Sequence, residues 1–434
     1  MEHINPESRL QVEMSCLDSL IASDNPVRFI DLFVEKLDLV NLQFIIKTVK
    51  SEGRPSYNPR LILKLYLYGY LNGLRSSRRL EKECNRNIEL HWLMGKLVPN
   101  YHSIADFRKE NPLALKNTFK LFVLFLKDND LVSGATVAID GTKMRAHNSK
   151  KNNYNTKKIQ RHLDYIEEQS RAYLKELEEN DEGESPIKLH NIAQKIERLK
   201  RNKISYELLS KKLEESGEPQ ISTTDEDARA LLVQGQVVEV SYNMQAAVDD
   251  KHKLVVATHT INRNDRNALH DIALEAMQNL QVETLTAISD KGYHNGRQLQ
   301  QCKEDHITTI CAQQEIVNSN EKGTTPEYLV TNFIYNQEED TYTCPQGHTL
   351  RTLGTVHKKV TTNSYNFKKY RTPACKTCPV KHLCTGREKG GREIDRSEFA
   401  QTVEENNYRY KNNAALYRKR QEINEHIFGT IKRK

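Results

Sequence analysis

The sequence predicts an α/β fold, a mixed sheet flanked by helices, preceded by an all-helical N-terminal domain. Three observations predict it. Capped apolar periodicities at helical spacing fill residues 1–130. Short β-branched runs then alternate with helical segments from residue 134 onward. Two stretches interrupt that alternation, a helical one at 150–220 and a cysteine-rich one at 315–400, so residues 134–434 read as one interrupted domain.

In the first 130 residues, Asn58-Pro59 reads as an N-cap with proline at the first helical position, and Leu61, Leu65 and Tyr68 recur at helical spacing until Gly73 closes the element. Arg75, Arg78 and Arg79 follow at once. Ser103-Ile-Ala-Asp106 resembles a capping box opening a helix with Arg108 and Lys109, and Asn111-Pro112 begins an apolar helix through Phe119, Phe122 and Leu126. Short helices carrying arginine clusters suggest a helix-turn-helix-like reader of double-stranded DNA, with Arg75, Arg78, Arg79 and Arg108 as its phosphate contacts.

The strand run around Val137-Ala-Ile-Asp140 comes next. Ile159, Leu163, Ile166, Ser170, Tyr173 and Leu177 alternate by four and three, as do Leu189, Ile192, Ile196, Leu199, Lys203 and Tyr206, which predicts an antiparallel helical hairpin turning over 180–186. Tyr242–Val248 and Leu254–Thr258 flank Asp249-Asp-Lys-His252 as a β-hairpin. A helix from about Asn267 to Leu280, a strand Thr284–Ser289 ending at Asp290, a helix near Gly296–Cys302 and a strand Ile307–Cys311 complete the alternation.

Three carboxylates carry the chemistry. Asp140 in Ile139-Asp-Gly-Thr-Lys143 and Asp290 in Ser289-Asp-Lys-Gly-Tyr293 follow β-rich runs, where a strand end holds a side chain fixed. The third lies in the basic helical stretch Asn424-Glu-His-Ile-Phe-Gly-Thr-Ile-Lys432. Carboxylates are the hard oxygen ligands that Mg²⁺ prefers, and two such ions about 4 Å apart can clamp the attacking and leaving oxygens of a phosphodiester displacement. On periodicity alone Glu422 and Glu425 share a helix face and compete for the third place. Asp249, Asp250 and Asp265 compete with Asp290; the hairpin pair suits a turn, whereas Asp290 ends a buried strand.

Cysteine spacing marks a second site. Cys344-Pro-Gln-Gly-His348 precedes Cys375-Lys-Thr-Cys378 and Cys384, the soft thiolate set of a tetrahedral structural Zn²⁺, with His348 or His382 as possible substitute ligands and an iron-sulfur cluster as the other chemistry four thiolates permit. Cys16, Cys84, Cys302 and Cys311 read as small core hydrophobes.

With 28% charged residues and a mean hydropathy of −0.73, the chain has no apolar run near the roughly 18 residues of a membrane span. No signal-peptide pattern opens it, so a cytoplasmic, nucleoid-associated protein without disulfides is expected. The net charge of +7 is modest. Its distribution is informative: Arg409–Lys434 holds eight Lys or Arg against two Glu, interleaved with Tyr410 and Tyr417, as on a surface following a phosphate backbone.

At these segments the sequence resembles the DDE transposases of bacterial insertion sequences, particularly those with a helical N-terminal transposase domain and a cysteine-bearing insertion before the catalytic glutamate. Residues 137–147, Tyr242–Val248, Ser289–Tyr293, the four cysteines and Glu425–Lys432 carry the likeness, in order along nearly the whole chain. It implies an RNase H-like core with Asp140 on its first strand, Asp290 at the end of its fourth and Glu425 on a late helix, the cysteine insertion being zinc-ribbon-like. It also selects Glu425 over Glu422, because the family signature places a lysine seven positions on, which Lys432 satisfies. The arginine of that signature falls at Gln421, with Arg418 nearby. The implied activity is DNA cleavage and strand transfer with two Mg²⁺ at Asp140, Asp290 and Glu425, and with Lys143, Arg145, Lys291, Arg418 and Lys432 as phosphate contacts. The implied partners are element ends and target DNA, bound by a homodimer or larger assembly. Ile427 stands where relatives have proline, and the sequence stops two residues beyond Lys432. Two further expectations follow: a truncated, inactive DNA-binding derivative acting as a repressor, or a Mg²⁺-dependent nuclease on the same fold.

Overall fold

Two compact units divide the chain, Met1–Asp130 with Gly429–Lys434, and Leu131–Phe428. The structure, a computed structural model, describes residues 14–46, 56–179, 186–233, 237–313, 324–360, 364–387 and 389–433.

The first unit holds α1 (Pro26–Lys36), α2 (Pro59–Leu71), α3 (Ser77–Cys84), α4 (Ile88–Met94), α5 (Tyr101–Glu110) and α6 (Pro112–Asp128). Asn25, Asn58 and Asn87 cap α1, α2 and α4 by accepting first-turn N–H groups that have no partner inside a helix. Gly73, at φ +68°, takes the left-handed conformation that ends α2. Val34, Leu63, Leu65, Leu80, Leu90 and Ile104 form the core. One expected boundary moves: α5 begins at Tyr101, because the Asn100 side chain accepts from Ser103 N–H at 2.8 Å and takes the capping place expected of Ser103. Cys84, Cys302 and Cys311 are buried as expected, but Cys16 is exposed.

In the second unit β1 (Thr136–Arg145) and β2 (Asn153–Tyr154) precede the long helices α7 (Thr156–Glu179) and α8 (Pro186–Ser216). These two pack on each other, burying Ile159, Ile166, Ile192 and Ile196; the turn expected between them lies, through residue 185, outside the described residues. After β3 (Ile221–Ser222) come β4 (Arg229–Val233), β5 (Val237–Asp249), β6 (Val255–Ile261), α9 (Leu269–Leu280), β7 (Leu285–Ser289), α10 (Gly296–Glu304) and β8 (Ile307–Cys311). The main sheet runs β4-β5-β1-β7-β8, with β6 also paired to β5. The β5 strand is antiparallel to β1, β4 and β6, whereas β1, β7 and β8 are mutually parallel. Val137, Ala138 and Ile139 of β1 and Ala287 and Ile288 of β7 are wholly buried, as central parallel strands require. The α9 helix covers this sheet through Leu269, Ile272, Ala273, Ala276 and Leu280, which recur every three or four residues.

The remaining strands β9 (Ile334–Asn336), β10 (Thr341–Thr343), β11 (Thr349–Lys359) and β12 (Tyr365–Arg371) join β13 (Ile394–Ser397), which follows the short α11 (Lys381–Cys384), in a second sheet. It is antiparallel in the order β13-β12-β11-β10-β9, over a core of Phe333, Tyr342, Leu350, Tyr370 and Ile394. Two helices, α12 (Ala400–Asn412) and α13 (Ala414–Arg433), close the chain. No helix among the described residues is long and apolar enough to cross a membrane.

Candidate active site

Parallel pairing of β1 and β7 aligns Ile139 with Ser289, so the next residues stand side by side, Asp290 just past the end of β7 and Asp140 midway along β1, where the strand expected to end at Asp140 instead continues to Arg145. Backbone amides orient both: Gly141 N–H donates to Asp140 Oδ1 and Gly292 N–H to Asp290 Oδ1, each at 2.8 Å. Arg420 Nη1 of α13 donates to Asp140 Oδ2 at 3.1 Å. Burial pushes the Asp140 carboxyl above the ordinary aspartate range; the Gly141 amide and the Arg420 charge oppose that shift, and Asp290 and Asp265 add to it.

A third carboxylate stands at this place, and it is Asp265. Its Oδ1 accepts from Asn243 Nδ2 at 2.8 Å and Gln245 Nε2 at 2.9 Å. Gln245 Oε1 in turn accepts from the Tyr293 hydroxyl. Burial raises the Tyr293 phenol well above its ordinary value, and Asp265, Asp140 and Asp290 each raise it further. In the sequence Asp265 is one of the competitors of Asp290, and no motif singles out Arg420, Asn243, Gln245 or Tyr293. A partial signal existed, since Asn243 and Gln245 alternate on one strand and so share a face.

Glu425 is not brought to the aspartates. It is exposed on α13, while Ile423, Asn424 and Phe428 are buried and Arg420 is half-buried. A helix turns about 100° per residue, so the face holding Arg420 and Asn424 turns Glu425 aside. Glu422 is exposed and pairs with Lys253. Neither side-chain polar atom of the buried Asn424 has a partner.

The expected phosphate contacts scatter. Beyond Asp140 on β1, Lys143 is half-buried and Arg145 exposed; Lys291 and Arg418 are exposed, and the Lys432 side chain lies outside the described residues. In the first unit Arg75, Arg78, Arg79 and Arg108 are exposed. Arg78 lies 4.8 Å from the Tyr101 ring centre, and Arg108 donates to the Tyr70 hydroxyl at 3.4 Å. Asp249 does the work expected of a turn former, accepting from Ser133, Gly134 and Lys251 N–H groups.

Cys344, Cys375, Cys378 and Cys384 line one small cavity together with His348, while His382 is exposed. His348 N–H donates to Cys344 Sγ at 3.3 Å. Among the described residues no set of three or more His, Cys, Asp or Glu side chains stands in a metal-holding arrangement.

Two family models match the chain. One, described as a transposase domain, covers residues 15–110. The other, described as a transposase DDE domain, covers residues 343–434. No curated protein and no solved structure matches. The matched ranges include the four arginines of the first unit, the four cysteines and Glu425, and exclude Asp140 and Asp290.

Proposed function

From the premise that a chain with these two transposase domains belongs to the DDE transposases of insertion sequences, we propose that it cleaves and transfers DNA strands with Asp140 and Asp290 at its centre. The observation that carries this reading is the alignment of β1 and β7, which sets two carboxylates side by side, one midway along β1 and one at the end of β7. Oxygen donors of the kind a divalent cation takes gather at this place, though not yet in a metal-holding arrangement. Buried Asn243 Oδ1 has no partner, and a Cβ on Gly141 would stand 3.0 Å from it and 2.8 Å from Asp265 Oδ1, so glycine keeps oxygen donors close together.

Bound there, two Mg²⁺ would supply the Lewis acidity that activates water and neutralises charge on the phosphate. Water attacks phosphorus at the element end, the bond from phosphorus to the 3′-oxygen breaks, and that oxygen takes a proton to leave a 3′-OH. The 3′-OH then attacks a phosphodiester of target DNA and displaces its 3′-oxygen. The chain's own residues orient the carboxylates and hold the DNA backbone, and Lys143, Arg145, Lys291, Arg418 and Lys432 are the assigned phosphate contacts. We assign Glu425 as a further ligand, which requires α13 to turn it toward the face now held by Asn424.

Residues 134–434 read as an RNase H-like catalytic domain. Counting β1, β5, β6, β7 and β8 as core strands, Asp140 lies on the first and Asp290 follows the fourth, which supports that reading. The 150–220 hairpin and the 315–400 segment are its insertions. Residues 1–130 would bind double-stranded DNA through Arg75, Arg78, Arg79 and Arg108, and joining two ends calls for at least a homodimer. We assign Cys344, Cys375, Cys378 and Cys384 as ligands of a structural Zn²⁺ on their spacing; the thiols line one cavity but do not stand in a metal-holding arrangement as they are.

A second reading, a DNA-binding derivative without catalysis, is favoured by the exposed Glu425 and by Arg420 on Asp140. The test is incubation of the full chain with Mg²⁺ and labelled DNA bearing its element ends, beside Asp290→Ala. Nicking and joining that vanish in the variant support the transposase. Cleavage without joined product indicates a nuclease, and binding alone indicates the inactive derivative.

A further inference from the structure

Between the segments that bear Asp140 and Asp290 runs a chain of side chains, half-buried at its first member and buried beyond it, that the proposed reaction does not use directly. It starts at Asp265, in the single helical turn after β6, whose Oδ1 takes hydrogen bonds from Asn243 and Gln245. It continues through Gln245, 1% exposed, and ends at Tyr293, fully buried in the turn that Asp290 itself caps. We propose that Tyr293, Gln245 and Asp265 form a strut that fixes the separation of Asp140 and Asp290, so that all three are positioning residues of the catalytic centre. This inference rests on the metal-centre reading given above.

Hydrogen-bond polarity gives the strut one orientation. A carboxylate only accepts, so both amide nitrogens must point at Asp265. With its nitrogen committed, Gln245 turns its oxygen to Tyr293, and the phenol has to be the donor. Asn243 is fixed in the same sense, because its Nδ2 also donates to the Arg263 carbonyl at 2.9 Å. No member can reverse without leaving a buried group unpaired.

The strut touches both aspartate-bearing segments. Gln245 pairs with Gly141 across the β1–β5 ladder, one residue past Asp140. A Cβ at Gly141 would collide with Gln245 Nε2, so the strut lies directly on that backbone. At the other end, a Cβ at Gly292 would lie 3.0 Å from Asp290 Oδ1 and 3.7 Å from Asp265 Oδ2, so Asp265 abuts the turn that orients Asp290. With Tyr293 bonded to Gln245, that turn is tied to β5, and β5 is laddered to β1. Releasing the tie frees the Asp290 turn while leaving both carboxylates present.

The experiment is titration of the full-length protein with Mn²⁺, followed by electron paramagnetic resonance, for wild type, Tyr293→Phe, Gln245→Leu and Asp140→Asn, with thermal unfolding of each. Tyr293→Phe keeps volume and ring and removes only the hydroxyl, so it guards against simple misfolding. Partners that orient metal ligands typically contribute 10- to 100-fold in affinity. The expected result is Mn²⁺ binding weakened about tenfold or more in Tyr293→Phe and Gln245→Leu, with cooperative unfolding retained, and lost in Asp140→Asn. If the two strut variants bind as wild type does while Asp140→Asn does not, the strut is overturned and the metal centre stands. If wild type itself binds no Mn²⁺ that depends on Asp140, the metal-centre reading fails and takes this inference with it.

Discussion

Arg420→Met, measured with and without metal, probes how the site manages its negative charge. Arg420 is the cation that meets Asp140, at 3.1 Å, with side chains 14% and 30% exposed. A hydrogen bond to a charged group contributes about 1.5 to 3 kcal/mol, and the partial exposure of Asp140 together with the unpartnered, buried Nε of Arg420 favours the middle of that range. Methionine keeps a flexible apolar chain of similar reach but removes the guanidinium from both Asp140 and the Tyr417 ring, whose centre lies 5.9 Å from it, so the loss reports the charge at both partners. In EDTA we expect a cost of about 2 kcal/mol, which for a domain of this size lowers Tm by roughly 4 to 8 °C. In saturating Mg²⁺ the cost should fall below about 1 kcal/mol, because a bound cation compensates the same carboxylate. The single tryptophan, Trp92, lies in the other unit and would not see the change, so calorimetry or hydrogen exchange of β1 and α13 peptides is the assay. An equal cost with and without Mg²⁺, or none in EDTA, refutes the idea that Arg420 stands where a cation acts.

Three other outcomes follow from the same geometry. Gly141→Ala should destabilise the second unit by about 1 to 3 kcal/mol, since the new methyl meets Asp265 Oδ1 at 2.8 Å and Asn243 Oδ1 at 3.0 Å; unchanged thermal unfolding would show that the space can open. Because the folded-state pKa of Asp140 is raised, its contribution to stability is present below the ordinary aspartate value of about 4 and is lost as pH rises through the raised one. Metal-free wild type should therefore fall behind Asp140→Asn as pH climbs above about 4, and parallel stability curves would contradict the shift. At the cysteine cavity, Cys378→Ser should release bound zinc to a chromogenic chelator and loosen exchange protection of β10–β12. A chain purified without zinc, with those strands equally protected, would remove the metal from the account.

Much of the second unit was legible because burial writes itself into sequence. Short β-rich stretches, Val137-Ala-Ile139 in β1, Leu285-Thr-Ala-Ile288 in β7 and Ile307-Thr-Thr-Ile310 in β8, mark strands of a mixed sheet, and Asp140 and Asp290 each stand just after such a stretch, where a strand can hold a carboxylate fixed. Spacing alone marked the four cysteines as neighbours, and they line one cavity. What stayed hidden depends on rotation about a helix axis or on contacts across the fold. Arg420 sits in the run Arg418-Lys-Arg420, whose members are equivalent as charges and differ only in which way α13 turns them. Asp265 looked like any acidic residue after a hairpin; its place is set by Asn243 and Gln245, some twenty residues earlier.

Glu425 shows the same limit from the other side. A family signature fixes its position along the helix, yet the buried side of α13 is claimed by Ile423, Asn424 and Phe428, whose packing opposes turning Glu425 inward. The opposing terms can be weighed. Turning the helix exposes Ile423, which alone costs about 1.5 to 3 kcal/mol. It also releases Asn424, a buried amide with no partner, whose desolvation already costs about 1 to 3 kcal/mol. Exposing Phe428 costs about as much again as Ile423, so the metal-free helix stays as it is, and the attraction of a doubly charged cation for one more carboxylate has to supply the difference before Glu425 can meet the aspartates. Asn424→Leu should therefore hold α13 as it stands, raise metal-free stability and weaken the Mg²⁺ dependence of cleavage. If instead Asn424→Leu cleaves DNA at wild-type Mg²⁺ concentrations, α13 need not turn, and Asp140 and Asp290 act without Glu425.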